Sequence, residues 1–166
     1  DAPASWDSAG GLVGECLPMQ RLRLQLGQYA DLAYPVLIEG ESIAARHEGS
    51  AFALMEKLLD NWWAGIGETN FSGIPKLMVA EARNFPELAR FYYENVIRRG
   101  RAMLRSALER GMDSGEFSKM DVETTIDVVI APILMLVIWR HSMACCQNNP
   151  VDPKQYLAVH LNLLRE

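Results

Sequence analysis

Cysteine is scarce in this chain: Cys16, Cys145 and Cys146 are the whole complement. An odd count with two neighbours adjacent offers no disulfide framework, which excludes the small stapled secreted folds and makes a reducing cytoplasm the expected location. Long apolar runs are missing as well. The longest, VVIAPILMLVIW from Val128 to Trp139, has 12 residues between Asp127 and Arg140. A membrane span needs ~20, so this reads as a deeply buried or interface helix and no membrane partner is expected. Residues 1–20 lack the basic start and apolar stretch of a signal peptide. Positive charge is also in deficit, with a net charge of −5. That balance argues against the whole surface serving as a nucleic-acid footprint.

The motifs of catalysis are absent too. There is no His-Glu-x-x-His, no Gly-x-Ser-x-Gly and no phosphate-binding Gly-x-x-x-x-Gly-Lys. Gly65, Gly67 and Gly73 read as turn punctuation rather than a phosphate cradle. No enzyme activity and no cofactor are expected. Histidine is limited to His47, His141 and His160. His141 and Cys145 stand four apart on one helical face, and the fold could bring Cys146 and His160 to them. Two ligands at helical spacing recur by chance, so no metal site is expected. Cys145 and Cys146 read as small apolar fillers.

What remains is helical. Hydrophobic residues make up 49% and charged residues 22%, the balance of a globular domain rather than a disordered tail. Residues 1–18, rich in Gly, Ala, Ser and Pro, read as a linker or truncated end, and 19–166 as one helical domain. Apolar positions recur every three or four residues, and no run alternates long enough for a strand. Helices are expected over 19–47, broken near Pro35; from a Ser50 cap to about Ile66; from a Ser72 cap through Phe85; over 86–112, opened by Pro86; over 122–144, capped by Asp121 and kinked at Pro132; and over 153–165, opened by Asp152 and Pro153. The predicted class is all-α with six helices.

Several side chains stand out. Arg98, Arg101 and Arg105 line one helical face with Glu94 and Glu109, a pattern that fits i,i+4 pairing on a solvated surface. Glu81 falls on the apolar side of its helix. A buried carboxylate there needs an arginine partner or a polar ligand contact. Aromatic and methionine side chains repeat on the inward stripes of four helices. Such a stripe is either plain core or the lining of an adaptable apolar pocket.

Residues 73–117 resemble the C-terminal domain of TetR-family regulators. The likeness is carried by Met78-Val79-Ala80-Glu81-Ala82, by Asn84-Phe85-Pro86-Glu87-Leu88-Ala89 with Phe91-Tyr92, and by Gly111-Met112-Asp113-Ser114-Gly115-Glu116-Phe117. The apolar helix holding Ala131-Pro132 is similar as well. The resemblance implies a sensor domain that dimerises through its last two helices as a four-helix bundle. A small effector bound inside it would alter DNA binding by an N-terminal helix-turn-helix. The DNA-binding signature of that family is not found here, so DNA contact is expected only through a domain absent from this chain. The alternative is a helical protein–protein adaptor with no small-molecule ligand.

On the sensor reading, the cavity walls are expected to be Phe52, Met55, Leu59, Trp63, Met78, Tyr93, Met103, Met135 and Trp139, with Tyr92 and Glu81 as polar handles. Few charges line such walls, so a small hydrophobic or aromatic effector is the expected ligand. The homodimer interface is expected at Ile133, Leu136, Val137, Arg140, Tyr156, Val159, His160 and Leu163.

Overall fold

The computed structural model describes Leu24, Ala33 and residues 35–146, 148–149 and 151–163. The expected linker at 1–18, Cys16 and the helix start at 19 lie outside the described residues. Helix α1 covers 35–46, α2 Ala51–Trp62, α3 Ile74–Glu81, α4 Pro86–Tyr92, α5 Arg98–Asp113, α6 Val122–Arg140 and α7 Pro153–Leu163. Wider π-helical turns extend α2 through Trp63–Gly67 and join α4 to α5 through Tyr93–Ile97. The helix expected over 86–112 is therefore one rod with a π segment inside it. The described residues contain six such rods and no strand.

The capping chemistry explains where the rods begin. Ser50 Oγ accepts from Ala53 N at 3.1 Å, and Asp121 Oδ1 accepts from Thr124 N at 2.8 Å. Both side chains satisfy donors that a helix start leaves orphaned. These hydrogen bonds from Thr124 hold the Asp121 carboxyl below its ordinary value. Pro75 and Pro86 sit in first turns, where a missing N–H costs nothing. Ser72 does not cap α3. Gly73 holds that position without a side-chain bond, while Ser72 is buried with its Oγ 2.7 Å from His141 Nε2. Helix α6 stops at Arg140 rather than near 144. His141 and the turn after it break the ladder before a short 3₁₀ turn at Ala144–Cys146.

Packing runs α2 on α5, α5 on α6, α3 on α6 and α7 on α6. The largest core joins Phe52, Met55, Leu59 and Trp63 of the second rod to Leu104 and Leu108 of α5. It continues through Ile126, Val129, Ile133, Leu136 and Val137 of α6 to Leu157 and Leu161 of α7. Helix α1 approaches closely where glycine allows it. A Cβ on Gly40 would lie 2.8 Å from Met103 Sδ, and one on Gly65 2.3 Å from Val36 Cγ2. Arg99 locks α1 to α5 by donating Nε and Nη2 to Glu41 at 2.8 and 2.9 Å, which lowers the Glu41 carboxyl pKa.

The arginine stripe of α5 is largely a clamp rather than a solvated face. Arg98 does pair with Glu94 at 2.9 Å. Arg105, however, donates to Glu123 of α6 rather than Glu109. Arg101 reaches Asp127 and, at 3.0 Å, Glu123. These two carboxylates raise the Arg101 pKa, Asp127 having the larger effect. Helix α6 is apolar on every side because it carries two stripes. Ile126, Val129, Ile133, Leu136 and Val137 face the core, while Val128, Met135 and Trp139 are about half exposed. Its 19 residues are long and apolar enough to cross a membrane by length and composition, yet only 28% of its most apolar window is buried in this subunit.

Candidate functional site

A cavity of about 820 Å³ opens among α1, α2, α3, the 86–113 rod and α6. Each wall follows from a local feature. The π turn Tyr93–Ile97 widens its helix beside the cavity, and Tyr93, Val96 and Ile97 all line it. One turn later Gly100 contributes only backbone, and a Cβ built there meets nothing within 4 Å. Facing these are Leu59 and Trp62 of α2, Met78 of α3, and Ile130, Ile133 and Leu134 of α6. The lining is mostly apolar. Asn61 donates Nδ2 to Val36 O at 3.0 Å, which fixes its amide at the α1 side. Among the described lining residues charge enters only at Arg90, Arg101 and Asp127, and the last two hold each other.

Of the expected wall residues, Leu59, Met78, Tyr92, Tyr93 and Met103 line this cavity. Five others do not. Phe52, Met55 and Trp63 are buried in the core behind it. Trp62 takes the place expected of Trp63, a difference of one residue that turns a helical side chain by about 100°. Trp63 Nε1 is buried with no partner among the described residues. Met135 and Trp139 point away from the main cavity. With Leu136, Arg140, Ala144, Val151, Asp152, Pro153 and Tyr156 they line a smaller one of about 500 Å³ where α6 ends and α7 begins. The two residues lie on the outward stripe of α6, which the sequence alone could not orient.

Glu81 is not buried on an apolar face. It is partly buried, accepts from Asn84 Nδ2 at 3.0 Å and is not part of the cavity lining. Residues that sequence reasoning did not place on the cavity include Trp62, Asn61, Arg90, Val96 and Ile97. Gly100, a helical glycine with no turn to make inside an apolar stripe, does line it.

The expected interface residues divide in the same way. Ile133, Leu136 and Val137 are buried in the subunit's own core, as is His160, whose Nε2 lies 2.9 Å from Val129 O. Their side chains are consumed internally and do not face outward. Val159 and Leu163 are 54% and 68% exposed, Tyr156 is partly buried, and exposed Arg140 donates Nη1 to Gly67 O at 3.1 Å.

Cys145 and Cys146 are not buried fillers. Both are exposed, with their sulfurs 3.6 Å apart. His141 is turned to Ser72, and Lys76 Nζ donates to the His141 carbonyl at 2.8 Å. Partial burial, then the charges of Arg140 and Lys76, lower the His141 pKa.

Against known proteins, the family described as "Tetracyclin repressor-like, C-terminal domain" matches residues 46–144. No curated protein and no solved structure matches the chain.

Proposed function

Because the chain belongs to the tetracycline repressor-like C-terminal domain family, we propose that it is the effector-sensing and dimerisation domain of a cytoplasmic transcription regulator. An apolar or aromatic small molecule fills its cavity and so controls DNA binding by a helix-turn-helix carried outside these residues. The observation that supports this reading is the cavity itself. Its volume of about 820 Å³ falls within the roughly 300–1,000 Å³ of small-molecule sites. The cavity opens to solvent, so it holds water when no ligand is bound, and its apolar walls favour an apolar occupant over that water.

The walls also give the ligand leverage. They come from α1, α2, α3, the 86–113 rod and α6, so an occupant touches nearly every rod at once. A ligand shifts a conformational equilibrium only through contacts that differ between the states, and a cavity shared by five rods supplies many of them.

The test is titration with N-phenyl-1-naphthylamine, a neutral apolar fluorophore, read through its own emission and through energy transfer from the protein's tryptophans, of which Trp62 lines the cavity. Wild-type protein is expected to bind it. Gly100→Phe places a ring in the open space and is expected to weaken binding by about tenfold or more while the fold is kept. The helix itself gains from losing a glycine. Equal binding by both proteins, or no binding by the wild type, would sink the reading.

A further inference from the structure

We infer that the cavity takes an amphipathic anion, with an apolar body inside the helical walls and one negatively charged head group held by Arg90 at the mouth. The inference rests on the cavity being the effector site and goes on to name the class of effector.

The charges around the cavity lead to this class. Only Arg90, Arg101 and Asp127 carry charge among the described lining residues. Arg101 is neutralised by Asp127 and by Glu123 at 3.0 Å. Glu123 is in turn shared with Arg105, so this cluster of two cations and two carboxylates has no charge left over. On its own helix, Glu94 four residues on is held by Arg98, while Glu87 three residues back is exposed and does not line the cavity. Arg90 itself is exposed, lines the cavity and stands in no ion pair among the described residues.

A second donor lies beside it. Tyr93 is three residues on, lines the same cavity and is 48% exposed. Residues three apart share a helical face, so the same side of this helix brings both exposed side chains to the cavity. A carboxylate, sulfate or sulfonate head accepts from both, whereas an ammonium head meets a like charge at Arg90 and only the phenol oxygen as an acceptor. Val36, Leu37, Met78, Ile130 and Leu134 offer an alkyl or aryl body an apolar wall, and the Asn61 amide beside Val36 has its Nδ2 engaged by Val36 O.

Three ligands of one chain length separate head group from body: dodecanoate, dodecanol and dodecylammonium, each titrated below its micelle concentration to displace bound N-phenyl-1-naphthylamine. Dodecanoate is expected to bind about fivefold tighter than dodecanol, the scale of an exposed ion pair. Dodecylammonium is expected to be weakest, and added salt should narrow the spread. Arg90→Gln should bring dodecanoate level with dodecanol, and Arg90→Lys should keep the preference. Dodecanoate binding no better than dodecanol, or a preference that survives Arg90→Gln, overturns the inference. So does failure of all three to displace a probe that itself binds. If the probe does not bind, the cavity reading falls with it.

Discussion

Gly111 lacks a side chain because of a residue six positions downstream. The Phe117 ring lies over it, and a Cβ there would come within 2.0 Å of the Phe117 ring. The chain returns to this point through Gly115, whose φ of 74° is the left-handed conformation that favours glycine. Glu116 N and Phe117 N then both donate to Gly111 O, at 2.8 and 3.0 Å, and close the end of α5. The same residue-scale logic applies to His141. Its imidazole is held beside Ser72 Oγ at 2.7 Å and near two cations. A folded-state pKa below the unfolded value means that the unfolded chain takes up the proton more readily. The stability associated with neutral His141 is therefore present above the unfolded pKa of about 6.5 and is lost as pH falls through the folded value. Thermal unfolding followed across this range should show wild-type protein losing Tm toward acid more steeply than His141→Gln. Parallel curves would show that the ring does not link folding to pH.

At the scale of the element, α2 starts where α5 ends. Glu116 places Oε2 2.6 Å from Ala51 N and Oε1 3.0 Å from Phe52 N, while Ser50 takes Ala53 N. Three orphan donors at the helix start are thus satisfied, two of them by a carboxylate from a distant segment that also complements the helix dipole. From the other side Arg110 donates to Gly49 O at 2.7 Å and to His47 O, holding the 47–50 turn against α5. Charge-assisted caps are stronger than the exposed Arg98–Glu94 pair, which contributes at most ~1 kcal/mol. Glu116→Ala is expected to cost about 1–2 kcal/mol in urea unfolding, and Glu116→Gln less. A loss no larger than that of an Arg98→Ala variant would mean that the cap contributes nothing special.

At the scale of the whole molecule, the apolar surface left uncovered is what calls for a partner. Val128, Met135 and Trp139 recur along one side of α6, and Tyr156, Val159 and Leu163 recur at three and four residues along α7. On the proposed dimer, these two stripes on neighbouring helices are the half of a four-helix interface that a two-fold axis would complete. Val137→Arg is a poor probe, since that side chain is fully buried and the variant would disturb the fold. Met135→Glu combined with Val159→Glu leaves the core intact. Sedimentation at micromolar concentration is expected to show a wild-type dimer and a variant monomer of unchanged helical content. A dimeric variant, or a monomeric wild type, would remove this interface from consideration.

The sequence by itself determined the class, the order and most of the boundaries of the helices. Those depend on near-neighbour chemistry: the spacing of apolar residues, Ser50 and Asp121 as caps, Pro86 and Pro153 in first turns. The family resemblance was legible for the same reason. Gly111, Gly115, Glu116 and Phe117 form a local turn whose chemistry is written in consecutive residues. Only the tertiary structure decided which side of each helix faces what. In α6 both stripes are apolar, so hydrophobicity could not tell Val137, which is buried, from Met135, which is exposed. In α2 one residue separates Trp63 in the core from Trp62 on the cavity, and the π turn beginning at Trp63 shifts the phase of the helix where that distinction is made. The partners of Arg101, Arg105 and Glu116 lie on other segments 22, 18 and 65 residues away, distances over which sequence spacing carries no geometric information. A cavity is space left between five rods, and no single rod encodes it.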